Sequence, residues 1–272
     1  MCLLPVERRR AATYRFAVFR LFDAGFNESH NFIRMKIALL GYGKMGRAIE
    51  QLALQAGDEI VLRADSATDR EVVKGWLPSA GVAIEFSRPE SAFENVRLCL
   101  EAGVPVVCGT TAWLGRLEEA KRLCEEKKGA LLYASNFSIG VNLFFALNRY
   151  LAGLMAGQPQ YEVRMEEAHH IQKLDAPSGT AISLAEDILK RIPKLKKWVN
   201  QEGGGAGELP ILSRREGQVP GTHEVQFLSA VDTITIRHEA HSREGFARGA
   251  LEAARWIVGK QGYFEMKDML GF

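Results

Sequence analysis

Cysteine is scarce in this sequence. There are four in 272 residues, Cys2, Cys99, Cys108 and Cys124, with neither the paired spacing of a zinc site nor the density of a secreted disulfide scaffold. They read as reduced thiols of a cytoplasmic protein. No run approaches the roughly 20 consecutive apolar residues needed to cross a bilayer, so no membrane partner is expected. Charge of one sign is also missing: 35 Lys and Arg against 33 Asp and Glu leave a net +2. That excludes the dense basic face that a phosphate backbone requires, and with it a nucleic-acid partner. Internal repeats are absent, and the one low-complexity tract is Gly203-Gly204-Gly205-Ala206-Gly207. Glycine is entropically unfavourable to order, so this tract is expected as a mobile loop or a lid. What is present is the balance of an ordinary globular chain, 47% hydrophobic and 25% charged, enough for two compact domains.

The first 34 residues stand apart. Arg8, Arg9, Arg10, Arg15 and Arg20 interrupt their apolar positions, and acids are few. Such a leader is either a targeting peptide or a non-native or upstream-translated extension. The second reading is favoured, because a buried strand begins directly after Met35.

From there strands alternate with helices. Lys36 to Leu40, Glu59 to Leu62, Val82 to Phe86, Val104 to Cys108 and Ala130 to Tyr133 are short apolar runs. Helical spacing fills the gaps, notably over Glu94 to Ala102 and Trp113 to Lys127, which implies a parallel sheet covered on both faces. After Tyr133 the character changes. An apolar helix over Val141 to Met155 is followed by period-two segments at Tyr161 to Met165, Glu224 to Leu228 and Thr233 to Glu239, which suit a mixed or antiparallel sheet. Arg243 to Gly259 returns to helical spacing and is expected to pack back on the first sheet. The fold class expected is α/β: a Rossmann-like parallel-sheet dinucleotide-binding domain plus a smaller α+β substrate and oligomerisation domain with a mixed sheet. The domains are residues 1–34 as an extension, 35–136 completed by 242–272, and 137–241.

Gly41-Tyr42-Gly43-Lys44-Met45-Gly46 follows a strand and opens a helix. That context makes it a dinucleotide turn, with free helix amides facing a pyrophosphate. Asp65, about 20 residues on, ends the second strand, where a carboxylate accepts from the adenosine ribose. Its neighbour Ser66 offers no charge to a 2′-phosphate, which favours NADH or a dual preference, although Arg63 and Arg70 are near in sequence. Gly109-Thr110-Thr111 follows the fourth strand at the sheet edge where ligands of such folds bind.

The segment Glu166 to Thr180 holds the chemistry. His169, His170 and Lys173 can exchange protons or stabilise an anion. Pro177 suits a helix first turn, so the amides of Ser178, Gly179 and Thr180 are expected to be unpaired and complementary to a carboxylate. Two adjacent histidines without a spaced third ligand give no support to zinc, and no metal is expected.

These motifs, with Phe86-Ser87-Arg88-Pro89-Glu90 and Ser135-Asn136-Phe137-Ser138-Ile139-Gly140, make the stretch from Met35 to Phe272 resemble the 4-hydroxy-tetrahydrodipicolinate reductases of lysine and diaminopimelate synthesis. The resemblance implies reduction of a small cyclic dicarboxylate by NADH and/or NADPH, in a homotetramer. It makes His169 the proton donor or acceptor and Lys173 a proton donor, and it implies that His170, Gly179 and Thr180 contact the dicarboxylate, with Arg243 assisting. Gly41 to Gly46, Asp65, Gly109 to Thr111, and Ala134, Ser135, Asn136 and Phe137 match the nucleotide contacts. Ser66 departs from the Arg of some members, and Ala112 and Trp113 stand where a Gly is frequent. Two other readings stay open: a related amino-acid dehydrogenase, and a nucleotide-sensing protein without catalysis.

Overall fold

The computed structural model describes residues 34–242 and 244–272. The readings of the Arg-rich leader and of Arg243 therefore lie outside the described residues.

Strand β1 (Lys36–Leu40) is buried on both faces, as a central parallel strand must be. Ala38 and Leu40 enter one apolar cluster, while Ile37 and Leu39 enter another. Its neighbours are β2 (Glu59–Ala64), β3 (Val82–Glu85), β4 (Val106–Cys108) and β5 (Ala130–Tyr133), with β11 (Gly262–Phe264) at the far edge. The order is β11-β5-β4-β3-β1-β2, and every pairing is parallel. Helices α3 (Pro89–Glu101) and α4 (Leu117–Glu126) cover one face. The other is covered by α1 (Lys44–Gln55) and α7 (Glu244–Ile257), so the last long helix does return to the first sheet. Gly249 permits this, because a Cβ there would stand 1.7 Å from the Phe137 carbonyl oxygen.

Several boundaries differ from the sequence expectation for local reasons. The helix expected from Glu94 begins at Pro89, whose missing N–H is no loss in a first turn. The helix expected from Trp113 is preceded by a short 3-10 turn over Leu114–Arg116. Helix α2 (Arg70–Trp76) was not anticipated, although Asp69 caps it by accepting from the Glu71 amide at 2.9 Å.

The second sheet is mixed and runs β10-β9-β6-β8-β7. It comprises β6 (Glu162–His169), β7 (Lys197–Val199), β8 (Glu208–Arg215), β9 (Gly221–Leu228) and β10 (Thr233–Ala240). β9 is antiparallel to β6 and β10, while β8 is parallel to β6 and β7. Helices α5 (Ile139–Met155) and α6 (Gly179–Leu189) pack on one face through Phe144, Ala152, Leu184 and Ile188 against Met165, Ile211, Val225 and Phe227. The glycine tract joins β7 to β8 as irregular backbone, held by Lys196 N–H on the Gly207 carbonyl at 2.7 Å and Gly205 N–H on Glu208 at 2.9 Å. A short C-terminal helix, α8 (Met266–Leu270), closes the chain.

Candidate active site

Strand β6 runs four residues past its expected end at Met165. Its alternation simply continues: Val163, Met165, Glu167 and His169 all point inward and are buried. Register does the rest. Glu167 pairs with Ser213 on β8 and with His223 on β9, and His223 pairs with His238 on β10. A row of polar side chains thus crosses the end of an otherwise apolar sheet face.

The Glu167 carboxylate is the centre of this row, with its side chain wholly buried. One oxygen accepts from the Ser178 amide at 3.1 Å and from Arg215 at 2.9 Å. The other lies 2.9 Å from His169 Nδ1, obliquely to the ring N–H direction. Burial alone would raise the Glu167 pKa. The bonds from His169, Ser178 and Arg215 outweigh it and hold the carboxyl well below the ordinary range. His223 stacks edge-on against His169 with ring centroids 5.1 Å apart, and its Nε2 is 3.1 Å from Ser178 Oγ. Burial first, then the neighbouring His169, push His223 down to about 3 and so keep it neutral at physiological pH.

Lys173 is held by Asp175, with both carboxylate oxygens at 2.8 Å, and its ammonium keeps the Asp175 carboxyl low. The loop that carries both is stapled from β8: Arg215 donates to the Lys173 carbonyl at 3.2 Å and to the Asp175 carbonyl. His170 is half-buried and accepts from the Lys173 amide at 3.0 Å through its carbonyl.

Ser178 corrects an expectation. It is 2% exposed, its amide is taken by Glu167, and its hydroxyl caps α6 by accepting from Ala181 N–H at 3.2 Å. It belongs to the scaffold and not to a ligand surface. Pro177 also stands outside the expected first turn, before the Ser178 cap and after a cis peptide bond. Gly179 and Thr180 keep the predicted character, because the first amides of a helix have no acceptor within it and both residues are at least partly exposed.

At the other sheet, Gly41, Gly43 and Asp65 share a cavity of about 360 Å³ with Ser66, Arg70 and Arg88. The turn needs its glycines: Gly41 has φ +100°, and a Cβ on Gly46 would stand 2.4 Å from the Gly41 carbonyl oxygen. Nothing lies within 4 Å of a Cβ built on Gly43, which leaves room for a phosphate before the uncapped start of α1. Lys44 is exposed and Met45 half-buried on that first turn, and Tyr42 donates to Glu50. Arg63 pairs with the same Glu50, so it is committed away from the cavity. Thr110 is buried and accepts from the Ser87 amide at 2.8 Å, while Thr111 is exposed. Gly109 lies against Phe86, whose ring a Cβ would strike at 2.1 Å. Phe137, expected at the nucleotide, is 1% exposed and packs against Phe86 in the core. Ala112 takes a left-handed φ of +62°, so the turn keeps the conformation that a glycine would adopt freely.

The two halves meet in a larger cleft of about 1200 Å³. Ala134, Ser135 and Asn136 line it from the end of β5, and Ser183 and Asp187 line it from α6. Thr180, Ser183 and Asp187 lie at i, i+3 and i+7 on one helix face, so the cleft leads toward the helix start.

Sequence reasoning missed Arg215 and His223 and gave Glu167 no role. The signal was available as period two: continuing the alternation of β6 beyond Met165 and that of β9 back from Val225 puts Glu167 and His223 inside. His223 also supplies the third donor whose absence had argued against a metal, since donor atoms of Glu167, His169 and His223 lie within 4.8 Å of one another. Ser178 and Arg215 hold one Glu167 oxygen and Ser178 Oγ meets His223 Nε2, while the second Glu167 oxygen, His169 Nδ1 and His223 Nδ1 make no aligned hydrogen bond.

Residues 35–137 match the family model described as dihydrodipicolinate reductase, N-terminus, and residues 140–270 match the one described as its C-terminus. The chain belongs to the dihydrodipicolinate reductase family. A 4-hydroxy-tetrahydrodipicolinate reductase of Christiangramia forsetii is 48% identical over 236 residues, covering 87% of this chain and 98% of the relative. One from Neisseria gonorrhoeae is 33% identical over 268 residues, covering 88% and 98%. Among solved structures, the dipicolinate-bound dihydrodipicolinate reductase from Paenisporosarcina sp. TG-14 superposes with a TM-score of 0.70 at 23% identity, covering 86% of this chain and 98% of that one. That match carries the fold: a Rossmann-like sheet beside a mixed one. The reductase is an oxidoreductase of the nicotinamide-dependent kind, and among its described residues no helix is long and apolar enough to cross a membrane.

Proposed function

We propose that this reductase converts the cyclic dicarboxylate 4-hydroxy-tetrahydrodipicolinate to tetrahydrodipicolinate with NADH and/or NADPH, in lysine and diaminopimelate synthesis. The observation that carries this is the joining of His169, the Lys173 loop and the Ser178 cap that precedes the Gly179–Thr180 amides through one buried carboxylate at the end of β6. The glycine turn fits a dinucleotide, having space before Gly43 and free helix amides. When bound, the nicotinamide supplies a hydride.

The chain's own part is positioning and proton delivery. The amides of Gly179 and Thr180 donate to a ring carboxylate, with His170 as a further contact. Lys173, or His169 once it is protonated at Nε2, supplies the proton that completes the reduction, and neutral His169 accepts at that same nitrogen. Gly221 leaves space in front of that nitrogen, since a Cβ there would sit 3.1 Å from it. The loop Ala134 to Asn136 faces the same cleft as α6, and closure of the two halves would exclude water. Replacing His169 or Lys173 by Ala should lower kcat by about 10² to 10⁴, the range of general acid–base catalysis, with KM for NADH unchanged. Near-normal turnover in both variants would remove the assignment.

For the cofactor we infer a preference for NADH or dual use. Asp65 faces the cavity with Ser66 beside it, and Arg63 is tied to Glu50. A hundredfold preference for NADPH in catalytic efficiency, about 2.7 kcal/mol, would overturn this. A homotetramer is proposed as the working form. The second sheet ends in β10, whose outer edge has no pairing strand among the described residues and whose Ile234 is 38% exposed. Light scattering should give four chain masses. A cytoplasmic location agrees with the buried, unpaired thiols of Cys99, Cys108 and Cys124.

A further inference from the structure

Two groups that must act on one small ring, His169 and Lys173, sit on different elements. His169 ends β6, and Lys173 lies in the loop before α6. One backbone bond, from the Lys173 amide to the His170 carbonyl at 3.0 Å, closes the turn between them but orients neither side chain. The side-chain contacts that do so converge on Glu167. Its first oxygen takes two donors, the Ser178 amide and Arg215, and Arg215 reaches on to the carbonyls of Lys173 and Asp175. Its second oxygen faces His169 Nδ1 at 2.9 Å. The approach is oblique, as apo sites often are before the ligand tightens them.

We propose that Glu167 is the positioning residue of the site: its carboxylate keeps the His169 proton on Nδ1, so that Nε2 exchanges with substrate, and through Arg215 it locks the Lys173 loop to the sheet. This rests on the reductase reading above for the identity of the reacting ring. The tautomer part follows from counting donors. A carboxylate has acceptors on both sides: one oxygen takes the Ser178 and Arg215 N–H groups, and the other faces the His169 Nδ1 nitrogen. A glutamine has one. With Arg215 and the Ser178 amide drawing its carbonyl oxygen, its NH2 would face His169 and convert Nδ1 to an acceptor, shifting the proton to Nε2.

The test uses the full-length enzyme labelled with 15N-histidine, read by NMR of the ring nitrogens, beside steady-state kinetics with NADH and the cyclic dicarboxylate. Wild type should show neutral His169 as the Nδ1–H tautomer. Glu167→Gln should show Nε2–H, with kcat lower by about a hundredfold, as expected for losing acid–base function, and KM for NADH within twofold. Glu167→Asp should restore the Nδ1–H tautomer and at least a tenth of the wild-type kcat. Arg215→Lys keeps the charge but not the reach to both carbonyls. It should raise KM for the dicarboxylate about tenfold, the effect of one lost charge-assisted contact, with the tautomer unchanged. An unaltered tautomer in folded Glu167→Gln overturns the proposal. If that variant does not fold, the wild type decides alone, since a neutral Nε2–H form there overturns it equally. A wild type that fails to reduce the dicarboxylate would sink the functional reading while the ring-nitrogen spectrum still judges Glu167.

Discussion

At the end of β1 the candidate ligand surface is shaped by a backbone turn, and at the end of β6 it is shaped by a network of buried side chains. The glycine turn Gly41 to Gly46 is built from six consecutive residues, and its shape follows from where Cβ atoms are missing. The cluster around Glu167 draws on β6, β8, β9 and the cap of α6, residues separated by up to 56 positions from Glu167 to His223 (223 minus 167). A backbone site tolerates change in its side chains but not the addition of one. A network site tolerates added volume where it is open, yet is sensitive to any change in its donors and acceptors.

The sharpest way to break this contrast is to add one methyl group to the turn. Gly46→Ala should weaken NADH binding by about a hundredfold, some 2.7 kcal/mol, measured by calorimetry, because its Cβ would displace the Gly41 carbonyl that shapes the phosphate seat. Unchanged affinity would show that the turn yields more easily than its contacts imply.

The network side is tested by pH. His223 is depressed to about 3 in the folded state, against an ordinary 6.5. As pH falls below 6.5 the unfolded chain takes up a proton that the folded one refuses, so stability is lost progressively down to about 3. The slope from this group is about 1.4 kcal/mol per pH unit. Glu167 has the opposite starting point: its low folded pKa contributes stability that is intact above 4.5 and lost only below it. Between pH 6.5 and 4.5 His238, which burial also lowers, adds to the loss, so the His223 share is read as a difference of urea midpoints: His223→Gln should flatten the loss by about 2 kcal/mol. Parallel curves for the two proteins would show that His223 accepts a proton without unfolding.

Gly221→Ala lies between the two kinds of site, a backbone change that touches a network member. Its Cβ would press on His169 Nε2 at 3.1 Å, and kcat should fall about tenfold, near 1.4 kcal/mol, with NADH affinity untouched. A change in NADH affinity instead would mean that the two halves are coupled through the sheet. The smallest effect is expected at Ala112. With φ at +62° its side chain is strained, and Ala112→Gly should raise stability by about 1 kcal/mol, read as a shift in the thermal midpoint. No shift would show that the strain is relieved by neighbours of the turn.

The same contrast explains what could be read beforehand. Strands β1 and β5 were legible to the residue, since a short apolar run closed by a turn leaves no choice of face. Strand β8 was not. Its inward Leu209 and Ile211 flank Pro210 and give way to Ser213 and Arg215, so no sustained apolar alternation marks it until β6 is placed beside it. Ser178 was misread for a related reason: free helix-start amides are a local expectation, whereas the carboxylate that takes the first of them arrives from another strand.

The sequence by itself determined the parallel nucleotide sheet and the glycine turn and marked His169 and Lys173 as the candidate proton donors, because each depends on neighbours along the chain: an apolar run, a missing Cβ, a titratable side chain before a helix start. Only the tertiary structure decided what holds those donors in place. Glu167, Arg215 and His223 acquire their roles from strand register, and a register across three strands is fixed by burial of the whole sheet face, not by any one segment.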